Sequence, residues 1–402
     1  MKYVPIPVNL LEVGRPLPVD LFSEDGQLLL RRGQPVASAY HIEKLHEFKA
    51  SATPADASAW QRAYERTVRA LLARGADMNQ IANASMPSEI RESDYLVGQQ
   101  LDGGWLDLQV VLRGILYQGG LAINPLPRLF GIQDKVSTMV REDADDSLFC
   151  LFQALKDSSL GYCPTHALLC AVLCELTAGK LEMTAVQRKS LMAAVLTMNI
   201  GMAREQDVLA RQSEPLSPAQ RALIAQHAQD GAQILTDIGV ADAVQLDIVR
   251  WHHHWDHAEA LPANQACRRL LHLADAFVAR TAARKTRASL APVVAVKSMV
   301  LGAVGDALGV GSAMAQAIGF YPPGSYVRLQ GGEIAVSVQR GERANTPWVI
   351  CIVDRNDMPV SSYICRNTAE PAFAIRGPEN AESMKVTVQI DKVRRARARI
   401  PR

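Results

Sequence analysis

The run Arg250-Trp-His-His-His-Trp-Asp-His-Ala-Glu-Ala-Leu-Pro262 holds four of the nine histidines of the chain. Imidazole is the commonest side-chain metal ligand in proteins. An apolar helical segment, 244–249, precedes the run and a proline ends it, which predicts a position near the C-terminal end of a helix. Two interpretations stay open for these histidines: a metal site or a solvated, polar helix end. The choice between these two interpretations depends on whether other residues that can ligate a metal lie close to the run in the fold.

The composition is typical of an ordinary globular protein. The 402 residues allow two or three domains at about 150 residues each. A hydrophobic content of 48% supplies ample core, and a formal charge of +2 argues against broad nucleic-acid binding. We find neither a signal peptide in residues 1–13 nor a segment typical of a membrane span. Seven scattered cysteines without a C-x-x-C pair indicate a reducing compartment, so we expect a cytoplasmic protein.

Polar residues fall on the core-facing stripes of three predicted helices. Capping-box patterns at Thr184–Gln187 and Ser217–Gln220 begin two helices of this region. Helical spacing places His166, His227 and Asp275 on apolar faces, each on a different helix. A buried carboxylate must be paired or bound to a cation, whereas a lone core histidine is more often a satisfied structural residue. Three such groups together with the histidine run favour convergence on one site.

The N-terminal residues predict a small β-rich module over 1–50. Two apolar runs flank Glu24-Asp25-Gly26, and Asp-Gly between such runs is a hairpin signal. The composition of Ser51–Ala57 is typical of a linker that leads into a helix over about 60–74. We interpret residues 51–145 as this linker followed by a helical region.

Alternation replaces helical spacing after Pro323. The pattern predicts strands at Tyr326–Leu329, Glu333–Val338 and Trp348–Val353, which form a small antiparallel β appendage over 326–380. A basic tail, 381–402, ends the chain, and its last eleven residues hold six basic side chains and no acidic one. The tail is predicted to be disordered and solvated. An anionic partner for it is the alternative.

The order of these polar residues resembles the HD-GYP family of the HD phosphohydrolase superfamily. The resemblance rests on five motifs: Thr165-His166, Leu196–Met202, His227–Gly231, His252–Pro262 and Leu273–Asp275. It implies a mainly α fold, with a helical HD-GYP-like domain over 146–325 between the two β-rich ends. Members of the family hydrolyse the bacterial second messenger cyclic di-GMP at a site of two or more metal ions.

Matched to the family motifs, this sequence keeps part of that site. The resemblance implies five metal ligands: His166, His227, His252, His253 and Asp275. It also implies phosphate contacts from the basic run Arg284, Lys285 and Arg287. An equally good account of these three cations is attraction to the C-terminal end of a helix.

The sequence departs from the family at the positions that carry the chemistry. The family's H-D-I-G-K reads Met198-Asn199-Ile200-Gly201-Met202, so one metal histidine, the bridging aspartate and the phosphate lysine are absent. A thioether suits hard or borderline metals poorly. Ala258 and Ala260 occupy the positions of the two glycines in the family's second signature. No residue is therefore assigned a catalytic role.

Metal-assisted hydrolysis needs an activated water and charge stabilisation, and losing one such electrostatic donor costs about 10²–10³-fold in rate. We therefore expect a degenerate, catalytically weak or inactive domain that acts as a cytosolic signalling or scaffold protein. Its expected partners are cyclic di-GMP or a signalling protein, and its cofactor is one divalent transition metal, iron or manganese, or none. The alternatives are an active phosphodiesterase with a rebuilt site, in which His254 or His257 replaces a lost ligand, and a structural helical protein.

Overall fold

The computed structural model describes residues 3–74, 76–90, 104–156, 161–283, 288–301, 309–384 and 386–400. The chain forms two compact units, residues 1–131 and 132–402. The predicted mainly α fold with a small β sheet near each end is confirmed. The finer division into five parts stays a prediction. No helix in these described ranges is both long and apolar enough to cross a membrane.

A four-stranded antiparallel sheet forms the start of the first unit. Its order is β1-β4-β2-β3. The predicted hairpin is confirmed, since β2 pairs with β3 around a turn in which Gly26 has a φ of +84°. The strands are β1 (Val4–Pro5), β2 (Leu21–Phe22), β3 (Leu28–Leu30) and β4 (Ser51–Ala52).

The predicted linker at Ser51–Ala57 is wrong. Ser51 and Ala52 are buried and form β4, which pairs with β1 and β2. Thr53 then accepts the backbone N–H of Asp56 and caps the next helix. Small and polar residues here serve a strand and a helix cap, and a two-residue strand is too short to give a pattern in sequence.

Helices complete the first unit around one core in which Trp60 is fully buried and donates its ring N–H to the carbonyl of Pro87 (2.7 Å). A further helix, α5, contains the boundary between the units. These helices are α1 (Ala39–Glu47), α2 (Pro54–Ala73), α3 (Met78–Ala82), α4 (Trp105–Gln118) and α5 (Pro125–Glu142).

The second unit is helical up to residue 318. Both predicted capping boxes are present, at Thr184/Gln187 and Ser217/Gln220, and each begins a helix. The helices are α6 (Ala144–Ala154), α7 (Tyr162–Lys180), α8 (Ala185–Thr197), α9 (Ala203–Arg211), α10 (Pro218–Asp237), α11 (Ala243–Trp251), α12 (Gln265–Thr281), α13 (Pro292–Leu301) and α14 (Val310–Ile318).

Helix α7 is the centre of this unit. It is apolar on nearly every side, and nearly all of its residues are buried, which is the pattern of a core helix. Helices α6, α8, α12 and α14 all pack against it. The Asp207 carboxylate accepts the backbone N–H of Cys163 (2.6 Å) in its first turn. The helix that carries His166 is therefore fixed from several sides.

The second sheet is antiparallel, in the order β8-β7-β6-β5-β9. Its strands β5, β6 and β7 confirm the three strands predicted from the sequence. It begins at a Pro-Pro-Gly turn where Gly324 has a φ of +98° and lies so close to α6 that a Cβ would be 2.5 Å from that of Phe152. The strands are β5 (Tyr326–Leu329), β6 (Ile334–Gln339), β7 (Trp348–Val353), β8 (Cys365–Asn367) and β9 (Ile375–Pro378).

The prediction of a disordered tail is also wrong. Residues Ile390–Arg397 form a helix, α15, whose Val393 and Ala396 are buried against the second sheet. Arg394 pairs with Asp146 (2.8 Å) and Arg397 with Asp143 (2.8 Å), both in the acidic first turn region of α6. Cations here face carboxylates that lie far away in sequence, so composition alone could not reveal their partners.

Candidate metal centre

Three of the predicted ligands converge where two helices meet. His227 lies on α10, whereas His252 and His253 directly follow α11. One ring nitrogen from each of the three lies within 4.8 Å of the others. The Nε2 atoms of His253 and His227 are 3.3 Å apart. We call His227, His252 and His253 the histidine cluster.

Backbone carbonyls fix how two of these imidazoles face the cluster. Nδ1 of His227 donates to the carbonyl of Ile224 (2.6 Å), and Nδ1 of His252 donates to that of Val249 (2.7 Å). A carbonyl only accepts, so Nδ1 carries the proton in both rings and Nε2 keeps its lone pair. Nε2 of His252 is buried and has no hydrogen-bond partner in the described part of the chain. A buried lone pair beside two other imidazoles fits a bound cation.

Burial keeps the cluster uncharged. Burial lowers the pKa of His252 to about 3. It also lowers the pKa values of His227 and His253, whose neighbouring imidazoles add to the effect. Neutral imidazole is the form that binds metal ions. At neutral pH the cluster is therefore a set of three neutral nitrogen donors.

A hydrogen-bonded chain holds the other two predicted ligands. The His166 Nε2 atom lies 2.8 Å from Oδ1 of Asp275, and the Tyr162 hydroxyl lies 3.0 Å from its Nδ1. Burial would raise the pKa of Asp275, but the bond from His166 and the nearby histidines outweigh it and hold that pKa well below its usual range. Both nitrogens of His166 are thus engaged. Tyr162 was missed in the sequence, although its spacing of four from His166 on one helix face was a usable signal.

Asp275 connects this chain to the cluster, because its Oδ2 lies 4.0 Å from Nδ1 of His253. All five predicted ligands therefore lie in one contiguous group. His166, His227 and His252 are fully buried, and the His253 side chain is 37% exposed. The Asp275 side chain is 17% exposed, so solvent reaches the group at His253 and at Asp275.

The segment Met198–Met202 lies beside the cluster. Met198, Asn199 and Met202 are buried directly after α8, and the Nδ2 atom of Asn199 has no hydrogen-bond partner within the described residues. Gly201 lies against the backbone of α10, where a Cβ would collide with the carbonyl oxygen of His227. The segment Met198–Met202 is thus packed onto the helix that carries His227.

This close approach leads to a stability prediction. Gly201→Ala should force the segment and α10 apart and destabilise the protein by about 1–3 kcal/mol, a typical cost of overpacking. Gly179→Ala on α7 is the matched control, because a Cβ there meets nothing within 4 Å. Urea denaturation of the two variants measures the difference. Equal stability would show that the contact between Gly201 and His227 imposes no constraint.

The histidines proposed as replacement ligands lie outside the cluster. His254 is exposed. The His257 ring stacks on Trp251 with 3.9 Å between centroids, and its Nδ1 accepts the backbone N–H of Glu259 (3.2 Å). Neither joins the group of ligand atoms formed by the cluster in the described chain. In this structure His254 and His257 therefore do not take the place of a lost metal ligand.

A buried ion pair holds the loop that follows the histidines. Asp247 and Arg268 pair at 2.6 Å with side-chain exposures of 7% and 2%. The Asp247 carboxylate also accepts from the backbone of Leu261 (2.9 Å) and from the Asn264 amide (2.9 Å). Arg268 donates to the carbonyls of Trp255 (2.9 Å) and Leu261 (2.8 Å). We call Asp247 and Arg268 the loop clamp, which was not predicted from the sequence.

A further contact fixes the start of the loop, because Nδ1 of His272 donates to the carbonyl of His252 (3.0 Å).

The three predicted phosphate-binding residues lie outside the described residues: Arg284, Lys285 and Arg287.

Comparison with known proteins agrees with the sequence motifs. Residues 144–305 match the family model described as HD domain. The match confirms the HD-domain part of the predicted assignment for residues 144–305, and the HD-GYP part stays a prediction. No curated protein matches the chain significantly. A solved structure, Bd1817, a HDG"Y"P protein from Bdellovibrio bacteriovorus, is similar at 16% identity and a TM-score of 0.42, covering 78% of this chain and 98% of its own. A likeness at that level does not by itself establish a shared fold.

Proposed function

We propose that this protein is a degenerate HD-GYP-type signalling or scaffold protein with weak or no catalytic activity. One observation carries the proposal. The position that matches the family's bridging carboxylate is the buried, neutral amide Asn199, in the segment whose Gly201 packs against the backbone of His227. Two dications held close together repel each other, and an amide supplies no negative charge between them. The surrounding residues therefore do not fit a two-metal centre.

A single ion fits the donors better. His227, His252 and His253 would hold it, and Asp275 and His166 lie beside them. Iron or manganese is the ion that the family resemblance implies. A bound ion of this kind polarises a phosphate oxygen and lowers the pKa of water. Two nearby residues would contribute little to a reaction at this ion. Met202 supplies no charge toward a substrate phosphate, and Asp275 is held by His166.

The partners belong to the same proposal. The domain would work in the cytoplasm and bind cyclic di-GMP, or bind a signalling protein through the retained helical surface. Arg284, Lys285 and Arg287 would contact the phosphates of the nucleotide. Calorimetric titration of the metal-loaded protein with cyclic di-GMP separates the two, because binding without turnover supports a receptor and no binding supports a scaffold.

An active phosphodiesterase with a rebuilt site is the second candidate. It is favoured by the proximity of the cluster to His166 and Asp275, which together form one contiguous group. A single metal with these neighbours could still support hydrolysis. Turnover measurements with cyclic di-GMP decide between the two candidates.

Metal binding by the cluster is the direct test of the site. Wild-type protein should bind one equivalent of a divalent transition metal, and His227→Ala should weaken binding by more than about 100-fold, since a direct ligand matters more than the outer-shell groups worth 10–100-fold. His254→Ala is the matched control and should bind as wild type does. Calorimetry with manganese, ferrous iron and zinc, plus metal analysis of the loaded protein, gives affinity and stoichiometry. Equal binding by the two variants would contradict the site.

A further inference from the structure

The three rings of the histidine cluster point the same nitrogen at one another. Nε2 of His227 and Nε2 of His253 are 3.3 Å apart, and Nε2 of His252 is buried with no hydrogen-bond partner in the described part of the chain. The Nδ1 atoms of His227 and His252 donate to the backbone carbonyls of Ile224 and Val249. The cluster therefore offers three nitrogen donors and no oxygen donor of its own.

The Nδ1 atom of His253 faces a carboxylate instead of a carbonyl. Oδ2 of Asp275 lies 4.0 Å from this atom, which is the ring nitrogen that does not approach His227. A carboxylate behind the second nitrogen of a metal-binding imidazole orients the ring and raises its basicity. Asp275 does not join the group of ligand atoms that the cluster forms within the described residues. Its position is therefore that of a group that acts on a ligand from behind.

Hydrogen bonds occupy both nitrogens of His166. Its Nε2 atom lies 2.8 Å from Oδ1 of Asp275, and its Nδ1 atom lies 3.0 Å from the hydroxyl of Tyr162. The carboxylate accepts, so Nε2 carries a proton, and Nδ1 accepts from the hydroxyl. These two bonds leave no nitrogen of this ring open to a cation. His166 instead fixes the carboxylate that faces His253.

Nitrogen donors alone favour an ion other than the iron or manganese that the family resemblance implies. Manganese prefers carboxylate, carbonyl and water oxygens, and non-haem iron sites commonly combine two histidines with a carboxylate. Three histidines with one open position, by contrast, form a known type of zinc site. The donors that the chain brings together therefore match zinc better than they match either of the other two ions.

We propose that the histidine cluster is a three-imidazole zinc site, in which Asp275 orients His253 from outside the ligand set and His166 holds Asp275 in place. Such a site presupposes the single-metal centre of the proposed function, but it does not depend on whether the chain hydrolyses or binds cyclic di-GMP. It differs from the arrangement that the resemblance implies, in which all five residues ligate metal. Asp275 and His166 become positioning residues.

X-ray absorption spectroscopy tests the ligand set without any substitution. The full chain is loaded with one equivalent of zinc in the absence of nucleotide, and the spectrum counts the bound imidazoles. We expect three imidazoles per zinc. Four would make His166 a ligand, and two would remove one ring of the cluster. Either count would overturn the proposal, and so would a chain that binds no zinc.

Asp275→Asn tests the positioning role. Its zinc affinity should fall by about 10–100-fold, whereas loss of a direct ligand in His253→Ala should cost more than about 100-fold. Asp256→Asn is the matched control, because it removes the same charge from an exposed position in the loop, and should bind zinc as wild type does. Calorimetry on nucleotide-free protein gives the affinities. A loss in Asp275→Asn as large as in His253→Ala would make Asp275 a ligand and overturn the proposal.

Nitrogen NMR of the zinc-loaded protein gives a second measure of the same role. Asp275→Asn should shift the Nδ1 signal of His253, which faces the carboxylate. It should leave the Nδ1 signals of His227 and His252 in place, because carbonyls hold those two atoms. A general structural disturbance would move all three signals alike, and that result would contradict a specific role for Asp275.

The choice of ion is tested by exchanging one donor. Wild type should bind zinc more tightly than manganese, and His253→Asp, which replaces a nitrogen donor by a carboxylate, should shift the ratio of the two affinities toward manganese by at least about tenfold. Equal affinity of wild type for both ions, or an unchanged ratio in the variant, would overturn the proposal. Ordinary turnover of cyclic di-GMP would instead contradict the proposed function and leave the zinc site standing.

Discussion

Wild-type protein supplied with manganese or iron is expected to turn over cyclic di-GMP far more slowly than about 1 per second, the lower end of ordinary enzymatic rates. The physical reason is the proposed degenerate site, in which the neutral, buried Asn199 and Met198 match the positions of the family's bridging carboxylate and its neighbouring ligand. Each missing electrostatic donor costs about 10²–10³-fold in rate. Product analysis by chromatography on protein cleared of contaminating enzyme measures the residual rate.

Restoring the two residues should change the metal content before it changes the rate. Met198→His with Asn199→Asp should raise the stoichiometry from one metal per chain toward two, because the added carboxylate offsets the repulsion between dications. Activity should recover only in part, since Met202 still lacks the charge that would contact a phosphate. Metal analysis and turnover are measured on the same sample.

The matched control is Met202→Lys alone. It adds a phosphate-binding charge but no metal ligand, so the metal stoichiometry should stay at that of the wild type. Ordinary enzymatic turnover by the wild type, abolished by His227→Ala, would show that the existing histidines form a working site. That result would favour the rebuilt phosphodiesterase over the degenerate domain.

The second large effect concerns the loop clamp. Arg268→Met keeps much of the side-chain volume but leaves Asp247 buried without its cation. Removing one partner of a buried ion pair costs about 3–5 kcal/mol, and we expect a loss of that size in the free energy of unfolding. Urea denaturation of the second unit, followed by circular dichroism, measures it. The metal affinity of folded Arg268→Met should also fall, because the loop that follows His252 and His253 loses its anchor.

Two comparisons make this prediction specific. In the double variant Asp247→Leu with Arg268→Met, the unpaired charge is gone, and part of the lost stability should return. Arg188→Met is the matched single variant, since its pair with Glu175 is partly exposed, and should cost less than about 1 kcal/mol. A cost for Arg268→Met no larger than for Arg188→Met would mean that the clamp does not hold the loop.

Local patterns predicted the elements that local interactions determine. The two capping boxes began helices where expected, and Asp275 lies on a helix, α12, as its spacing predicted. The switch to alternation after Pro323 gave three of the five strands of the second sheet, β5, β6 and β7. Each of these features depends on neighbours within a few residues, so the sequence contains the whole signal.

Patterns failed where the deciding partner was distant in sequence. Ser51 and Ala52 became a strand because two other strands lie beside them, and the basic tail became a helix because α6 presents Asp143 and Asp146. The loop clamp was not predicted for the same reason. Asp247 and Arg268 are 21 residues apart and come into contact only when α11 and α12 pack together.

The sequence by itself determined which residues are available for chemistry: His166, the histidine cluster, Asp275, Met198 and Asn199. Only the tertiary structure decided how they combine. It brings the ring nitrogens of the histidine cluster close to one another, bonds His166 to both Asp275 and Tyr162, and places Asp275 4.0 Å from His253. The physical reason is that residue type sets which bonds a side chain can form. Helix packing sets which partner each atom reaches, and that depends on contacts between residues far apart in the chain.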